Sequence, residues 1–423
     1  MIQPLQPLLR VLTIEQIPKS LRRPIDQDTL MSASAILKDI EIRGDAAVLE
    51  HAIRLGDVQT GGRVLYDRES LRVARDHIPL EQLRLLERTA ARIQNFANAQ
   101  KACLQNLDVE VEGGRAGHSF LPVRAAGCYA PAGRFPLVSS VLMTAVTARA
   151  AGVSQVWVAS PKSTNITLAA AAIAGADGVL ALGGVQAIAA LTLGLCGVPA
   201  CDMIVGPGNR WVTAAKFLVS DRVGIDMLAG PSELVILADD SADPALVAAD
   251  LLAQAEHDAD ALPILVTTST ALRVNVEEHL LSMLKTLPTY QTAIAALHNG
   301  FAAEVPDIDS AVAVCDLLAP EHLEIMVRNP DNVAERICNA GSVFIGAASA
   351  EVLGDYGAGP NHVLPTGGTA RFKAGLSVLT FLRARTWLHI KDSASNQHLR
   401  IDAAALARME SLEAHARAAE LRC

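Results

Sequence analysis

The sequence is poor in aromatic residues, and it has neither an excess of positive charge nor a long uninterrupted apolar run. Phe, Trp and Tyr make up 4% of the 423 residues, although 51% of the chain is hydrophobic. A core built mostly from Ala, Val, Leu and Ile is typical of helices packed on parallel strands. The net charge of −9 argues against nucleic acid as a partner, because phosphate binding requires a basic face.

Membrane-directing segments and cysteine motifs are also missing. No run approaches the roughly 20 apolar residues that span a bilayer, and residues 1–10 lack the pattern of a signal peptide. The seven cysteines are scattered and none forms a C-x-x-C pair, so neither a zinc ribbon nor a disulfide framework is indicated. We therefore expect a reduced, cytoplasmic protein.

The sequence does contain a regular alternation of short β-branched runs and Ala-rich helical stretches. A helical region over 28–105 comes first, and a second alternating series runs from about 234 to about 345. The strands and helices of the first alternating series are predicted at 155–159, 166–174, 178–182, 186–194, 202–205 and 210–219. This rhythm predicts parallel sheets covered by helices on both faces.

The pattern predicts an α/β fold with two Rossmann-like parallel-sheet domains, a helical N-terminal segment and a C-terminal helical tail. We expect one discontinuous domain from 1–127 plus 232–375, with the helical segment in its N-terminal part, and a second domain from 128–231. The tail, 376–423, should contain a short helical piece and a final amphipathic helix over 402–420. A tail of this length often docks on another body.

Two sites place polar side chains where a metal or an acid/base pair could lie. Gln254 and His257 are three residues apart near the end of a predicted helix, so they share one face and could both reach a metal, although a surface or cap pair is the alternative. Glu321 and His322 could border one cleft, where a histidine takes the proton of an alcohol. The alternative is a solvated loop.

A loop and the tail carry further polar candidates. Residues 354–365 contain three glycines and two prolines around Asp355, Asn361 and His362, as in loops shaped for a site. An Asx-turn for Asp355 and a capping role for Asn361 are the alternatives. His415 follows Glu410 by five residues, and a histidine near a helix end can simply complement the helix dipole.

The usual G-x-G-x-x-G fingerprint of a dinucleotide site is absent from the strand–helix turns. Two weaker substitutes, 183–186 and 206–209, place glycines and free amides at helix N-termini, where a pyrophosphate or a carboxamide could be held. Tight βα turns that need glycine are the alternative. Residues 129–133 could form a third segment, or lip, beside the cofactor.

Together these features resemble the histidinol dehydrogenase family over nearly the whole chain. The carrying segments are Gly-Cys-Tyr-Ala-Pro-Ala-Gly (127–133), Ser-Ser-Val-Leu-Met (139–143), Gly-Gly-Val-Gln-Ala-Ile-Ala-Ala-Leu (183–191), Val-Gly-Pro-Gly-Asn (205–209), Asp-Met-Leu-Ala-Gly-Pro-Ser-Glu (226–233), Asp-Leu-Leu-Ala-Gln-Ala-Glu-His-Asp (250–258), Ala-Pro-Glu-His-Leu (319–323) and Gly-Pro-Asn-His-Val-Leu-Pro-Thr (359–366). Many long motifs in one order make a chance resemblance implausible.

The resemblance implies a zinc- and NAD-dependent enzyme with one zinc ion per subunit, and it implies roles for single residues. The implied zinc ligands are Gln254, His257, Asp355 and His415. The implied acid/base pair is Glu321 and His322. The implied substrate contacts are Ser232, Gln254, His257, His322, Asp355, His362, Glu410 and His415, and the implied NAD contacts, in domain 128–231, are Tyr129, Gln186 and Asn209.

The resemblance also implies the reaction and the assembly. L-histidinol would be oxidised through histidinal to L-histidine with two NAD, at the end of histidine biosynthesis. His322 would take the hydroxyl proton and Glu321 would activate water for the second oxidation. His415 would come from the tail of the other subunit, so we expect a homodimer with shared active sites.

Some segments depart from the family's usual sequence, and they leave two alternative functions open. The lip reads Pro131-Ala-Gly133, followed by Arg134-Phe-Pro136, and segments 369–373, 385–387 and 413–419 look as close to dehydrogenases of sulfonated propanediols. Such a relative would need a cationic pocket, for which Arg371 and Lys373 are candidates. A non-catalytic metal-binding relative is a third hypothesis, against which the complete set of site residues argues.

Overall fold

Two six-stranded sheets and one three-stranded sheet form the framework of the computed structural model, which describes residues 7–17, 25–132, 137–392 and 394–422. In chain order the strands are β1 Arg10–Leu12, β2 Leu65–Asp67, β3 Leu107–Val111, β4 Gly114–Pro122, β5 Ala125–Tyr129, β6 Gln155–Ala159, β7 Gly178–Leu180, β8 Met203–Val205, β9 Gly224–Ile225, β10 Glu233–Ala238, β11 Leu262–Thr267, β12 Phe301–Glu304, β13 His322–Met326, β14 Ser342–Ile345 and β15 Leu382–Ile390.

Helices cover both large sheets and form the end of the chain. They are α1 Gln27–Arg43, α2 Asp45–Leu55, α3 Arg68–His77, α4 Leu80–Ala102, α5 Val138–Ala151, α6 Asn165–Ile173, α7 Gly184–Leu193, α8 Arg210–Val219, α9 Pro244–His257, α10 Thr270–Leu284, α11 Tyr290–Asn299, α12 Ile308–Leu318, α13 Pro330–Ala334, α14 Glu351–Asp355, α15 Gln397–Met409 and α16 Glu413–Glu420. Short 3-10 helices lie at Ile14–Gln16, Thr369–Arg371 and Val378–Phe381. None of the helices in the described ranges combines the length and the hydrophobicity that a bilayer crossing requires.

The first sheet has the order β1-β12-β11-β10-β13-β14 and is parallel throughout. Every residue of β10, β11 and β13 is buried, as expected for central strands that are covered on both faces. Leu234, the second residue of β10, pairs with His322, the first residue of β13, so the two strands begin side by side. This register brings their polar side chains to one edge of the sheet.

The second sheet has the order β2-β7-β6-β5-β8-β9, and its strands are parallel except for β2. Strand β5 lies between β6 and β8, so the chain crosses over to the other side of the sheet after β7. The turns that follow β5, β7 and β8 therefore meet at the carboxyl edge, which is where α/β sheets bind dinucleotides. Two parallel sheets with covering helices confirm the predicted α/β fold.

The helices of residues 27–102 pack on the second sheet, whereas the sequence analysis assigned them to the domain of the first sheet. Apolar residues of α1 and α2 share a core with α7 and α8, and those of α3 and α4 share one with α5 and α6. In the described ranges 7–17 and 25–102, β1 is the strand that joins the first sheet, whereas β2 joins the second. The assignment of 1–127 is wrong for these helices, because periodicity identifies a buried face but not the sheet that covers it.

The sequence analysis predicted a helical C-terminal tail, but this segment also contains a strand. Residues 382–390 form β15, which pairs antiparallel with all nine residues of β4. The alternation of apolar and polar residues in Leu-Arg-Ala-Arg-Thr-Trp-Leu-His-Ile is the signal for this strand. The predicted final helix over 402–420 is also wrong in part, because Ser411 adopts a left-handed conformation (φ 64°) and separates α15 from α16.

Candidate functional site

The candidate acid/base and metal-binding side chains meet at the amino-terminal edge of the first sheet. Ser232 and Glu321 immediately precede β10 and β13, and His322 begins β13. Helix α9 returns to the same edge and ends at His257, while α14 ends at Asp355. Strand starts and helix ends thus build this site, in contrast to the usual position at the carboxyl edge of a parallel sheet.

Gln254 and His257 lie one turn apart in the last part of α9. The N-terminus of this helix is stabilised by a cap: the side chain of Asp243 accepts a hydrogen bond from the N–H of Ala245 (2.8 Å), and Pro244 occupies the first turn. Gln254 is fully buried, and neither atom of its amide has a hydrogen-bond partner among the described residues. A buried amide without partners costs about 1–3 kcal/mol, so this side chain indicates the place of a ligand.

His257, Glu351 and Asp355 form a group that could hold a metal ion, because ligand atoms from all three lie within 4.8 Å of one another. The Nε2 of His257 lies 3.5 Å from Oδ2 of Asp355. Nitrogen and carboxylate oxygen ligands, with the amide of Gln254 nearby in the same helix, fit zinc. The chemistry of these donors therefore agrees with the metal that the sequence resemblance implies.

Glu351 is a member of this group that the sequence analysis missed. It is buried, neither of its carboxylate oxygens accepts a hydrogen bond from a described residue, and Oε1 lies 3.4 Å from Nδ1 of His322. Burial, and then the nearby carboxylate of Asp355, raise the pKa of Glu351 well above its usual range. The spacing of four residues between Glu351 and Asp355 places both on one helix face and was the available signal.

Two hydrogen bonds fix the carboxyl group of Glu321. Its Oε2 accepts from the hydroxyl of Ser232 (2.7 Å) and from the backbone N–H of Glu233 (3.0 Å). Burial raises the pKa of Glu321 to about 8 despite these bonds. The side chain is buried, so the interpretation of this segment as a solvated loop is wrong.

His322 presents an unprotonated nitrogen to the cleft. Its Nδ1 lies 3.1 Å from the carbonyl oxygen of Glu233, and because a carbonyl only accepts, Nδ1 carries the hydrogen. Its Nε2 is buried, has no hydrogen-bond partner in the described part of the chain and lies 3.8 Å from Oδ1 of Asp355. Burial lowers the pKa of His322 and so favours the neutral ring. Such an imidazole can accept the proton of an alcohol.

The loop of His362 joins this site to the second sheet. His362 contacts the carbonyl oxygen of Asp355 through Nδ1 (2.9 Å) and the hydroxyl of Ser140 in α5 through Nε2 (3.3 Å). The amide of Asn361 donates to the carbonyl oxygen of Met143, also in α5 (2.8 Å). Asn361 thus anchors the loop to the middle of α5 and does not cap a described helix, while His362 lies where both sheets contribute residues.

Additional carboxylates surround the site. Glu233 and Glu324 are buried, and burial raises the pKa of each to about 8. Each has one carboxylate oxygen bonded to a backbone N–H, of Gly367 and Glu351 respectively, and one oxygen without a hydrogen-bond partner. A cleft with this many carboxyl groups favours a cation, either a metal ion or an ammonium group.

The cofactor candidates lie at the carboxyl edge of the second sheet. Tyr129 ends β5, Gln186 lies in the first turn of α7, and Asn209 caps α8 by accepting from the N–H groups of Trp211 and Val212 (3.1 and 3.3 Å). Tyr129 and Gln186 are almost fully buried. The three residues therefore lie at the carboxyl ends of β5, β7 and β8, with β6 between β7 and β5.

The two glycine turns of this edge do not offer the free amides that the sequence analysis expected. The N–H of Gly183 donates to Oδ2 of Asp57 (2.8 Å), and the N–H of Gly184 lies 3.4 Å from the hydroxyl of Tyr129. The N–H of Gly206 donates to Oδ2 of Asp226 (2.7 Å). Side chains of the protein occupy these donors, so the expectation is wrong for the three glycines.

The turn at Gly206 requires glycine for a steric reason as well. Its φ is +114°, and a Cβ there would lie 2.0 Å from the carbonyl oxygen of Tyr129. The buried Lys216 donates to the carbonyl oxygen of Gly206 (3.1 Å) and contacts Asp226. The turn is therefore held rigidly against the strand that carries Tyr129.

Within one chain, the two tail candidates are not part of the cleft. Glu410 is exposed at the end of α15 and His415 is exposed on α16. The described group of possible metal ligands does not include His415. The tail helices contact mainly each other, through packing and through ion pairs of Arg408 with Glu413 and Glu420.

Arg371 and Lys373, the two cationic residues considered for a sulfonate pocket, do not indicate such a pocket. The guanidinium of Arg371 donates to the carbonyl oxygens of Gly368 (2.9 Å) and Leu317. Lys373 is exposed. In contrast, the carboxylates of Glu351 and Asp355 lie beside the imidazoles of His257 and His322.

Comparison with known proteins gives one consistent result. Residues 22–423 match the family model described as histidinol dehydrogenase. Histidinol dehydrogenase of Thermus thermophilus is 50% identical over 302 residues, which cover 71% of this chain and 73% of that protein. Histidinol dehydrogenase of Geobacillus kaustophilus is 42% identical over 412 residues, covering 95% and 96% of the two chains.

A solved structure agrees with the sequence matches. The crystal structure of histidinol dehydrogenase from Elizabethkingia anophelis superposes with a TM-score of 0.91 at 30% identity. The match covers 99% of this chain and 98% of the other.

Proposed function

We propose that this chain, which belongs to the histidinol dehydrogenase family, oxidises L-histidinol through histidinal to L-histidine with NAD, at the end of histidine biosynthesis. The observation that carries the proposal is the fully buried, unpartnered amide of Gln254 next to the group of His257 and Asp355. A metal there would lie beside the free Nε2 of His322. The six cysteines among the described residues are unpaired, which agrees with a cytoplasmic enzyme.

One zinc ion per subunit would be held by Gln254, His257 and Asp355, with His415 of the partner subunit as the fourth ligand. When bound, zinc would hold the nitrogen atoms of the substrate and so fix its orientation. The proposed fourth ligand is supported by the exposure of His415 on a tail helix that contributes nothing to the cleft of its own chain. A homodimer with shared sites follows from this assignment.

The proposed substrate pocket unites the metal ligands with side chains from both sheets. Its members are Ser232, Gln254, His257, His322, Asp355 and His362, with Glu410 and His415 of the partner subunit. The acidic character of the cleft suits the ammonium group of an amino alcohol. It does not suit a sulfonate, which would need the cations that Arg371 and Lys373 do not supply here.

In the first oxidation, His322 would accept the hydroxyl proton at Nε2. The hydrogen bond from Nδ1 to the carbonyl oxygen of Glu233 keeps Nε2 unprotonated and ready for this role. NAD, when bound near Tyr129, Gln186 and Asn209, supplies the acceptor for the hydride that leaves the substrate carbon. His362 and Ser140 would close the cleft between the two sheets and exclude water from the hydride path.

In the second oxidation, Glu321 would take a proton from the water that attacks the aldehyde. Its hydrogen bonds from Ser232 and from the N–H of Glu233 hold the carboxyl group in one orientation. Because burial favours the neutral form of Glu321, the carboxyl must lose its proton before it acts as a base. A second NAD would then accept the second hydride.

The test is the number of NADH molecules formed per L-histidinol by the purified, zinc-loaded protein, with a sulfonated propanediol measured in parallel. Two NADH per histidinol, with histidine as the product, supports the proposal. Oxidation of the sulfonated diol without oxidation of histidinol would assign the chain a different substrate on the same metal and cofactor sites. Zinc binding without turnover of either would contradict the catalytic assignment.

A further inference from the structure

Asp57 contacts the proposed cofactor site, although the sequence analysis gave it no role. It follows α2, where its backbone N–H donates to the carbonyl oxygen of Ala52 (2.9 Å). Its Oδ2 accepts from the N–H of Gly183 (2.8 Å) and from Nε2 of Gln186 (2.6 Å). One carboxylate from α2 thus holds both the start of α7 and the side chain of Gln186.

The bond from Asp57 decides which way the Gln186 amide points. A carboxylate only accepts hydrogen bonds, so the nitrogen of the amide must face Asp57 and the oxygen must face away. That oxygen, Oε1, is buried and has no hydrogen-bond partner among the residues that the structure describes. A buried amide oxygen in this state is ready for a donor from a bound molecule.

Gly184 lies directly beside this oxygen. Its φ is +55°, and a Cβ at this residue would lie 3.3 Å from Oε1 of Gln186. An open groove of about 690 Å³ borders Asp57 and extends along the loop of Gln59 and Thr60 to Lys162 and Ser163. The residue that holds the amino end of α7 therefore also lines an open groove.

A phosphate is a poor ligand for this helix end. The N–H groups of Gly183 and Gly184 are already engaged, by Asp57 and by the hydroxyl of Tyr129. The carboxylate of Asp57 would also repel an anion at close range. A hydroxyl or amide N–H group, in contrast, could donate to the free oxygen of Gln186.

We propose that Asp57 is a positioning residue of the cofactor site, which orients Gln186 so that its buried oxygen accepts a hydrogen bond from a donor group of NAD. The donor is either a ribose hydroxyl or the N–H of the nicotinamide carboxamide. The proposal rests on the proposed NAD site. It adds the residue that makes Gln186 present its amide oxygen, rather than its nitrogen, to NAD.

The experiment measures NAD binding by calorimetry on the zinc-loaded full-length protein, without histidinol. Asp57→Ala removes the acceptor and frees the amide of Gln186, so we expect NAD to bind about tenfold more weakly, equivalent to ~1.4 kcal/mol. Asp57→Asn keeps one acceptor oxygen of the same size and should bind within about threefold of the unchanged protein. In steady-state assays the KM for NAD should rise in Asp57→Ala while kcat and zinc content stay unchanged.

A double-mutant cycle separates positioning from a general structural effect. In a Gln186→Leu background, Asp57→Ala should cause no further loss of NAD affinity, because Asp57 acts through the amide. Additive losses, or an Asp57→Ala protein that binds NAD normally, would overturn the proposal. If the alanine variant does not fold, Asp57→Ser, whose side chain is too short to reach Gln186, provides the same comparison.

ADP-ribose identifies the donor, since it lacks the nicotinamide. Equal weakening of ADP-ribose and NAD by Asp57→Ala assigns a ribose hydroxyl, and weakening of NAD alone assigns the carboxamide. If the protein without substitutions neither binds NAD nor oxidises histidinol, the proposed function itself is contradicted. If the protein without substitutions and the Asp57→Ala variant bind NAD equally well, only the proposed role of Asp57 is contradicted.

Discussion

At the residue scale, His257 and His322 lie near the same carboxylate, Asp355, but have different proposed roles. His257→Asn should lose both zinc and activity, because it removes a ligand atom from the group around Asp355. His322→Asn should retain zinc and lose at least about 100-fold in turnover, the range for a missing general base. Zinc analysis of both proteins next to their turnover checks the prediction, and equal zinc and activity in His257→Asn would contradict it.

Glu351 gives a second test at this scale. Glu351→Gln removes a buried carboxyl group beside the proposed zinc ligands, so we expect zinc affinity to fall about tenfold. The metal-free variant should not be less stable, because the substitution removes a carboxyl group whose ionisation is opposed by burial. Zinc titration and thermal unfolding measure both effects, with the exposed Glu278→Gln as a control. Unchanged zinc affinity would exclude Glu351 from the site.

The sequence was informative where one helix carries the residues, and uninformative where the fold brings them together. The spacing of Gln254 and His257 already placed them on one face, and α9 retains that relation. Glu351 was missed because a glutamate in a five-residue helix has no sequence signature of burial. Asp57 was missed because it lies 129 residues before Gln186, a separation that only the packing of α2 on α7 removes.

At the scale of elements, the last helix can be removed without disturbing either large sheet. α16 packs mainly on α15, and Ser411 already separates the two helices. Truncation after Met409 removes Glu410 and His415, so we expect a folded protein with incomplete zinc occupancy and no histidinol oxidation. Metal analysis and circular dichroism check this, with His415→Ala as the matched single change. Full zinc occupancy in the truncated protein would contradict the tail ligand.

Strands and helices of the alternating region were predicted well because their periodicity is strong. Helix α8 occupies the predicted 210–219, and β10 and β11 extend the predicted runs by only one or two residues. The tail was predicted poorly, because β15 is stabilised by β4, whose paired residues lie 260 to 276 positions earlier in the sequence. Pairing of this kind leaves only a weak alternation in the sequence itself.

For the whole molecule, a shared active site makes a specific prediction about mixed dimers. His257→Asn and His415→Ala should each be inactive alone, because each removes one proposed ligand. In a mixed dimer one site carries both changes and the other carries neither, so mixing the unfolded chains and refolding them together should restore part of the activity. Complete inactivity of the refolded mixture, with dimers formed, would contradict ligand exchange between subunits.

The buried carboxyl groups make the metal-free molecule sensitive to pH. Burial raises the pKa values of Glu233, Glu321 and Glu324 to about 8, so the folded state binds more protons than the unfolded state above about pH 4.5. Stability should therefore fall as pH rises towards 8. We expect the Tm of chelator-treated protein to drop between about pH 5 and pH 8, and that of zinc-loaded protein to drop less. A rising Tm of the metal-free protein over this range would contradict the prediction.

The pairing of β15 with β4 also fixes a distance. Nine extended residues measure about 30 Å at ~3.4 Å per residue, and pairing with β4 along their whole length keeps this segment extended. The segment therefore acts as a spacer between the body of the protein and the tail helices that follow it. Under the proposed exchange of tails, the length of this spacer sets how far apart the two active sites of the dimer lie.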